Sequence, residues 1–206
     1  MVFIAWATCF FFYAAHFVAA SQSSALQLEA SALLASGWWR STNNTNNTSS
    51  RCKWPGIACN AAGSVTEIAV GAFYLGGEMS KLNLSYFPNL VRLDLSRNGL
   101  QGSIPVEIGT LSKLNYLDLS HNTMTGELPL SLTNLTQLVM FNVSSNQIIG
   151  SIPTSLSLLI HLTHVILYDN QINGSIPSTL GSLTNLEVLY LFSNQINGPI
   201  PSTLGS

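Results

Sequence analysis

Apolar residues recur along most of the chain with a period that no single helix or strand produces. One unit has the frame Leu90, Leu93, Leu95, Leu100, Ile104, Ile108 and Leu111, and the frame begins again 24 residues later at Leu114. Three other residue types recur at the same interval: Asn98, Asn122, Asn146, Asn170 and Asn194; Gly102, Gly126, Gly150, Gly174 and Gly198; Pro105, Pro129, Pro153, Pro177 and Pro201. The unequal leucine spacing excludes a coiled coil, and the regular prolines exclude a long helix.

This repeat predicts an α/β solenoid of the leucine-rich repeat type. We expect a right-handed superhelix with one parallel sheet on its concave face, because the Leu-x-Leu pattern puts two side chains on one face of a short strand. The recurring Asn carries both donors and an acceptor. It is therefore expected to form a structural ladder, bonding backbone groups of its own coil and of the neighbouring coil. Single coils cannot stand alone, so stability depends on stacking.

Three segments are predicted along the chain. Residues 1–20 are apolar, lack charge after Met1 and end in small residues, which is typical of a signal peptide; an uncleaved membrane anchor is the alternative. Residues 21–64 are expected to form a helical N-terminal cap, and residues 65–206 about six repeats, the last incomplete. With Cys9 inside the signal segment, Cys52 and Cys59 remain as an expected disulfide.

Composition narrows the functional classes. The chain is 47% hydrophobic and 8% charged with a net charge of −2, which gives no basic surface for nucleic acid. Seven Asn-x-Ser/Thr sequons agree with the secretory pathway and a final place at the cell surface or in the apoplast. These candidate glycosylation sites are Asn43, Asn46, Asn47, Asn83, Asn134, Asn142 and Asn173.

Residues that suggest chemistry are few. His161 and His164 have metal-like spacing but no third ligand in sequence, so we expect neither a metal nor another cofactor. Asp118 and Ser120 belong to the recurring Leu-Asp-Leu-Ser of the repeat rather than to a hydrolytic site, although His121 follows them. Trp54 could stack on a sugar, but packing within the cap is the expected role.

The variable positions beside the framework leucines are expected to point outwards from the concave sheet. In the first three full units these positions are mainly polar, and Asn142 is one of them. The last two units expose aromatic and apolar residues, which are typical of interfaces, although β-propensity also favours them on strands. A glycan on Asn142 would block part of this face, so either Asn142 stays unmodified or ligand contacts begin beyond it. The second alternative is favoured, because the apolar residues start just after this position. The candidate ligand-binding residues are His164, Ile166, Tyr168, Val188, Tyr190 and Phe192.

Two motifs carry a resemblance to a known family. The cap has C-x-W-x-G-I-x-C from Cys52 to Cys59, and the repeats have L-x-G-x-I-P, as in residues 100–105. In both respects the chain resembles the extracellular region of plant leucine-rich repeat receptor-like kinases.

This resemblance implies recognition of an extracellular peptide or a co-receptor across the concave face. The kinase motifs G-x-G-x-x-G and V-A-I-K are absent from the sequence, so the chain itself is expected to be non-catalytic. Because the last unit stops in mid-coil, we expect the N-terminal part of a longer receptor, tied to a membrane only through a missing C-terminal segment or an uncleaved anchor. The alternative is a secreted inhibitor of a cell-wall-degrading enzyme, of the polygalacturonase-inhibitor type.

Overall fold

The computed structural model describes residues 24–39 and 48–204. The expected signal peptide and the sequons at Asn43, Asn46 and Asn47 lie outside the described residues. One α-helix, α1, spans residues 24–36 and ends at Gly37, whose φ of 75° suits a helix terminus. Among the described residues, no helix has both the length and the apolar character needed to cross a bilayer.

The repeats stack as flat coils that begin at Val65, Leu90, Leu114, Leu138, Leu162 and Leu186, here called coils 1 to 6. The strands are β1 (Ile57–Cys59), β2 (Val65–Ala69), β3 (Gly77–Glu78), β4 (Arg92–Asp94), β5 (Leu100–Ser103), β6 (Tyr116–Asp118), β7 (Thr123–Thr125), β8 (Met140–Asn142), β9 (His164–Ile166), β10 (Asn173–Gly174), β11 (Val188–Tyr190) and β12 (Gln195–Ile196).

The main sheet has the strand order β1-β2-β4-β6-β8-β9-β11. Each coil contributes one strand, and these six strands pair in parallel: β2, β4, β6, β8, β9 and β11. Strand β1 pairs with β2 in antiparallel orientation and covers the N-terminal edge. The register advances by one repeat per strand, so that Leu117 lies between Leu93 and Phe141. Equivalent positions of successive coils therefore form straight columns across the concave face.

A second set of short strands was not expected from the sequence. Strands β3, β5 and β7 form a three-stranded parallel sheet, and β10 pairs with β12. Between these two small sheets, isolated β-bridges pair Glu127 with Ile149 and Ser151 with Asn173, so neighbouring coils pair along this side of the solenoid as well. The chain runs extended again after each ladder Asn, so neighbouring coils pair there as well as on the concave face.

The return segments of the coils are 3₁₀-helices rather than α-helices. Each coil has only about five residues for this segment, and a 3₁₀-helix covers more distance per residue than an α-helix. In coils 2 to 5 a proline precedes the helix. The 3₁₀-helices are Thr48–Lys53, Met79–Lys81, Leu84–Tyr86, Val106–Thr110, Leu130–Asn134, Thr154–Leu158 and Ser178–Ser182.

The cap is closed internally by a disulfide and is joined to coil 1 by packing and by a buried polar cluster. Cys52 and Cys59 form a disulfide. Trp54 is 3% exposed, with its ring centroid 6.1 Å from that of Trp39, so it packs within the cap and offers no face to a sugar. The buried carboxylate of Glu29 on α1 accepts hydrogen bonds from the Ser64 hydroxyl (2.5 Å) and from the N–H that begins β2 (3.1 Å).

Packing is tight in the inner coils and looser in coil 6. The framework side chains of coils 2 to 4 are almost fully buried, as for Leu93, Leu117 and Phe141. In coil 6 the equivalent Leu189 is only partly buried, and Ile200 is 76% exposed.

Candidate functional site: the concave face

An asparagine ladder fixes the end of each concave strand. Asn146 Oδ1 accepts from the Met124 N–H in the preceding coil (3.0 Å), and Nδ2 donates to the carbonyls of Leu119 and Val143 (both 3.0 Å). Asn122, Asn170 and Asn194 repeat this pattern, and Asn98 begins it by accepting from the N–H groups of coil 1. Each Asn thus satisfies buried backbone groups in two coils and holds the strands in register.

The residue before each ladder Asn has left-handed backbone. None of these residues is a glycine, and their φ values lie between 52° and 58° for Arg97, His121, Ser145, Asp169 and Ser193. Non-glycine residues adopt this conformation only at a steric cost, which the ladder hydrogen bonds offset. The turn ends each concave strand at the same point, so the side chains before it form aligned columns.

In coils 2 to 4 the concave polar side chains bond to one another. Asn142 Oδ1 accepts from the backbone N–H of Ser144 (3.0 Å) and from its hydroxyl (2.7 Å), and Asp94 and Asp118 accept the N–H of the serine two residues on. Asn142 Nδ2 also donates to Asp118 Oδ2 across the strands (3.3 Å). We call this region, coils 2 to 4 of the concave face, the polar half.

Two serines of the polar half are buried although they stand at outward-facing positions of the concave strands. Ser144 is 1% exposed and Ser120 is 4% exposed. Both serines follow a carboxylate or carboxamide that binds their backbone N–H and draws the short side chain against the sheet. The polar half therefore offers a ligand fewer unpaired groups than its sequence suggests.

Arg92 and Tyr116 form a cation–π contact in the polar half. The guanidinium of Arg92 lies 3.6 Å from the centroid of the Tyr116 ring and donates to Asp94 Oδ2 at 3.0 Å. Burial acts to lower the pKa of Arg92, but Tyr116 and Asp94 outweigh it and raise this pKa. Burial, followed by the charge of Asp118, raises the pKa of Tyr116, while Arg92 opposes that shift.

Sequence reasoning did not identify this pair, although a signal was present. Arg92 and Tyr116 are 24 residues apart, so the repeat itself places them side by side on β4 and β6. An Arg followed one repeat later by an aromatic residue is sufficient to predict a cation–π contact.

Coils 5 and 6 present an aromatic cluster in the same columns. The rings of Tyr168 and Phe192 stack at 4.7 Å with 6° between their planes, and Tyr190 lies 6.1 Å from Phe192 in a tilted arrangement. Phe192 is 60% exposed and Tyr190 49% exposed. We call coils 5 and 6 of the concave face the aromatic half.

The other candidate binding residues border this cluster. Ile166 pairs with Tyr190 across the strands, and His164 pairs with Val188. The Nδ1 atom of His164 lies 2.8 Å from the Thr163 hydroxyl, which fixes the ring against the strand. The structure thus brings all six candidates together on two adjacent strands and the residues that follow them.

The remaining candidates are placed as follows. In the described residues 24–39 and 48–204, no three His, Cys, Asp or Glu side chains are grouped as metal ligands. His161 is exposed at the edge of the main sheet, away from the aromatic half. Among the described sequons, Asn83, Asn134 and Asn173 are exposed, whereas Asn142 is partly buried in the polar half.

Comparison with known proteins agrees with this architecture. Residues 72–203 match the family model described as a leucine-rich repeat region. Over 66 residues the chain is 41% identical to the leucine-rich repeat receptor-like serine/threonine-protein kinase RGI4 of Arabidopsis thaliana; this match covers 32% of the chain and 6% of the relative. The chain therefore corresponds to a small part of that relative's length, and the match does not extend over a kinase domain.

Two solved structures extend the comparison. The Arabidopsis receptor kinase HAESA, in complex with the peptide hormone IDA and the co-receptor SERK1, is 28% identical with a TM-score of 0.65, covering 87% of this chain and 35% of that one. A plant ice-binding protein is also 28% identical, with a TM-score of 0.73 over 86% of this chain and 59% of that one. The 24-residue repeat, the asparagine ladder and the family match together place the chain in the leucine-rich repeat family, in the form found in plant receptor-like kinase ectodomains.

Proposed function

We propose that the chain is the extracellular binding module of a plant cell-surface receptor and that its ligand or partner protein contacts the aromatic half. It acts by binding and is non-catalytic. The expected partner is an extracellular peptide or a co-receptor protein, the two classes that the HAESA complex contains. No metal or organic cofactor takes part.

The observation that carries this proposal is the exposed aromatic cluster. Tyr168, Tyr190 and Phe192 lie together on strand β11 and in the residues that follow β9 and β11, and Phe192 is 60% exposed. Large aromatic side chains in such positions supply most of the binding energy at protein interfaces. The ice-binding neighbour shows that this fold serves more than one function, so the cluster rather than the fold supports the proposal.

The location and domain order follow from the same proposal. Residues 1–20 direct the chain into the secretory pathway, residues 21–64 cap the solenoid, and residues 65–206 supply the binding coils. The structural neighbours include receptor ectodomains, which agrees with a place outside the cell. N-terminal sequencing of the secreted chain tests the first boundary, because cleavage after Ala20 leaves Ser21 as the first residue.

A displayed library of random peptides, selected on the wild-type chain, tests the binding site. We expect the selected peptides to lose at least about tenfold in affinity for a Tyr190→Ala/Phe192→Ala double variant, since central aromatic anchors each contribute about 2 kcal/mol or more. The matched control is Tyr116→Ala, which removes an aromatic residue from the polar half. Peptides that bind the double variant as tightly as wild type, or that lose affinity only with Tyr116→Ala, would refute a site in the aromatic half.

The contacts of Asn142 also bear on the glycans. Its amide nitrogen donates to Asp118 and its oxygen accepts from the buried Ser144, so we propose that Asn142 stays unmodified. This is the first of the two alternatives for Asn142, in which the residue carries no glycan. Asn134 is exposed at the end of a 3₁₀-helix and is proposed to carry a glycan. Glycopeptide mass spectrometry of the secreted chain decides both, and a glycan found on Asn142 contradicts the proposal.

A further inference from the structure

A groove separate from the aromatic half runs along the edge of the main sheet where the strands begin. It is open to solvent, has a volume of about 770 Å³ and is lined by side chains from coils 3 to 6 and the turns that enter them. Its residues stand in two columns just before the strands. The lining shares no residue with the aromatic cluster or with the asparagine ladder.

The two ends of the groove carry opposite charges. Lys113 lies at the coil 3 end, where its ammonium group donates to Asn89 Oδ1 at 2.6 Å and retains two further donors. Glu187 lies at the coil 6 end, and among the described residues its carboxylate has no hydrogen-bond or ion-pair partner. A ligand that spans the groove therefore meets a cation at one end and an anion at the other.

Between the charged ends the groove presents unpaired amide and imidazole groups. The side chains of Asn115, Gln137 and His161 line it, and within the described residues none of the three has a hydrogen-bond partner. This differs from the polar half, where the serine N–H and hydroxyl groups occupy the corresponding acceptors. Carboxamides carry both donors and acceptors, so they match the alternating N–H and C=O groups of a peptide backbone.

The length of the groove sets the size of the ligand. Adjacent parallel strands lie about 4.8 Å apart, so the three steps from coil 3 to coil 6 cover about 14 Å. An extended chain advances about 3.3–3.6 Å per residue, so about four residues fill this distance. We propose that the groove binds a short extended peptide with both termini free, the α-carboxylate at Lys113 and the α-amino group at Glu187.

Tetra-alanine with free termini is the probe, and amide shifts of Asn115, Gln137 and Thr163 in NMR titrations of the 206-residue chain are the readout. N-acetyl-tetra-alanine amide has the same backbone without the terminal charges and is expected to bind more weakly. Lys113→Gln and Glu187→Gln are each expected to weaken tetra-alanine about two- to fivefold, the range for an exposed ion pair. They should leave the capped peptide unchanged.

Controls separate this site from other effects. Lys81→Gln and Glu107→Gln remove exposed charges outside the groove and should not change binding. Tyr190→Ala/Phe192→Ala should not change it either, since the groove is independent of the proposed receptor site. Single charge reversals, Lys113→Glu or Glu187→Lys, should weaken binding more than neutralisation does, because repulsion replaces attraction, and the double reversal should restore it with the peptide turned end for end.

Three results would overturn the inference. Equal affinity for the free and capped peptides removes the role of the terminal charges. No saturable shift up to the solubility limit of tetra-alanine removes the site. Binding of cellotetraose with the same shifts, insensitive to Lys113→Gln and Glu187→Gln, assigns the groove to a neutral saccharide instead.

Discussion

The polar and aromatic halves of the concave face share one framework and differ in what they leave unpaired. In the polar half, Asp94, Asp118 and Asn142 accept hydrogen bonds from the serines two residues on, and two of these serines are buried. In the aromatic half, the first of these columns holds Ile166 and Tyr190, and the second holds Tyr168 and Phe192. The rings of Tyr168 and Phe192 stack on each other. The columns are the same and only the side chains differ.

This difference shows that polarity alone does not identify a binding surface on a solenoid. Polar side chains two residues apart on a strand satisfy each other, because the turn that follows brings the second residue's N–H to the first side chain. Aromatic rings have no such partner within the coil and remain exposed. Changing residues at equivalent positions in the two halves tests how far their packing and electrostatics differ.

The largest expected difference concerns the strand residues that face the core. Leu117 in the polar half is 0% exposed, and Leu189 occupies the same column in coil 6 but is only partly buried. Leu117→Ala should lower the free energy of unfolding by about 2–5 kcal/mol. Leu189→Ala should cost clearly less, because coil 6 packs on one side only and its loss reaches fewer neighbours.

Urea unfolding followed by circular dichroism compares the two leucine variants with wild type. An equal fall in the midpoint for both would mean that coil 6 is packed as tightly as the inner coils. That result would contradict the comparison between the halves.

The next prediction concerns the asparagine ladder. Asn146→Ala leaves the Met124 N–H without its acceptor, at a cost of about 1–3 kcal/mol. It also removes one of the two Asn donors from each of the carbonyls of Leu119 and Val143, which keep Asn122 and Asn170 respectively. Asn194→Ala removes the same pattern from coil 6, where water reaches the freed groups more easily, so its cost should be smaller. Amide hydrogen exchange gives a local readout, and the Met124 amide should exchange faster in Asn146→Ala. Unchanged exchange there would refute the ladder's stabilising role.

The period of the sequence was enough to predict the coils and the columns of the concave face. Every framework position recurs after 24 residues, and stacking then places equivalent residues side by side. The grouping of His164, Ile166 and Val188 with the three aromatic residues required only this register. The sequence pattern of one coil contains no information on how closely two coils approach each other.

Features that the apolar framework does not encode were missed, some between coils and some within a coil. The flanking strands β5 and β7 form because the chain runs extended after each ladder Asn, and no alternating apolar pattern marks them. The left-handed turns at Arg97 and His121 carry no glycine that would indicate them. The burial of Ser120 and Ser144 depends on hydrogen bonds within the coil that composition does not reveal.

A smaller effect should follow from adding charge to the polar half. Asp94, Asp118 and Asn142 lie opposite one another on β4, β6 and β8, and Asn142 donates to Asp118. Asn142→Asp replaces this hydrogen bond by a third carboxylate in the row, with an expected cost of up to about 1 kcal/mol. Added salt should reduce the loss by screening.

Asn173→Asp is the matched control for this charge. It also removes a sequon, but it lies on β10 of the flanking sheet, opposite Gln195. Urea midpoints of both variants are compared at low and high salt. A loss that is equal in the two variants, or that does not respond to salt, would show that the carboxylate row is not its cause.

The smallest effect is on the titration of Tyr116. Burial and the negative charge of Asp118 raise the pKa of its phenol, while Arg92 lowers it. Asp118→Asn should therefore lower the Tyr116 pKa, since the charge is removed and the amide oxygen can still accept from the Ser120 N–H. Arg92→Gln should raise it.

The pH dependence of stability follows from the direction of the Tyr116 shift. A phenol whose pKa is raised in the folded state favours folding below the unfolded value of about 10, and this contribution is lost as the pH rises through the folded pKa. Asp118→Asn lowers the folded pKa toward the unfolded value, so the loss should end at lower pH and be smaller in total, while its onset near the unfolded pKa is unchanged. NMR of ring-labelled tyrosine measures the Tyr116 pKa directly, with Asp169→Asn as the control that removes a carboxylate from the aromatic half. A Tyr116 pKa that moves equally in both variants would show that the two halves are not electrostatically separate.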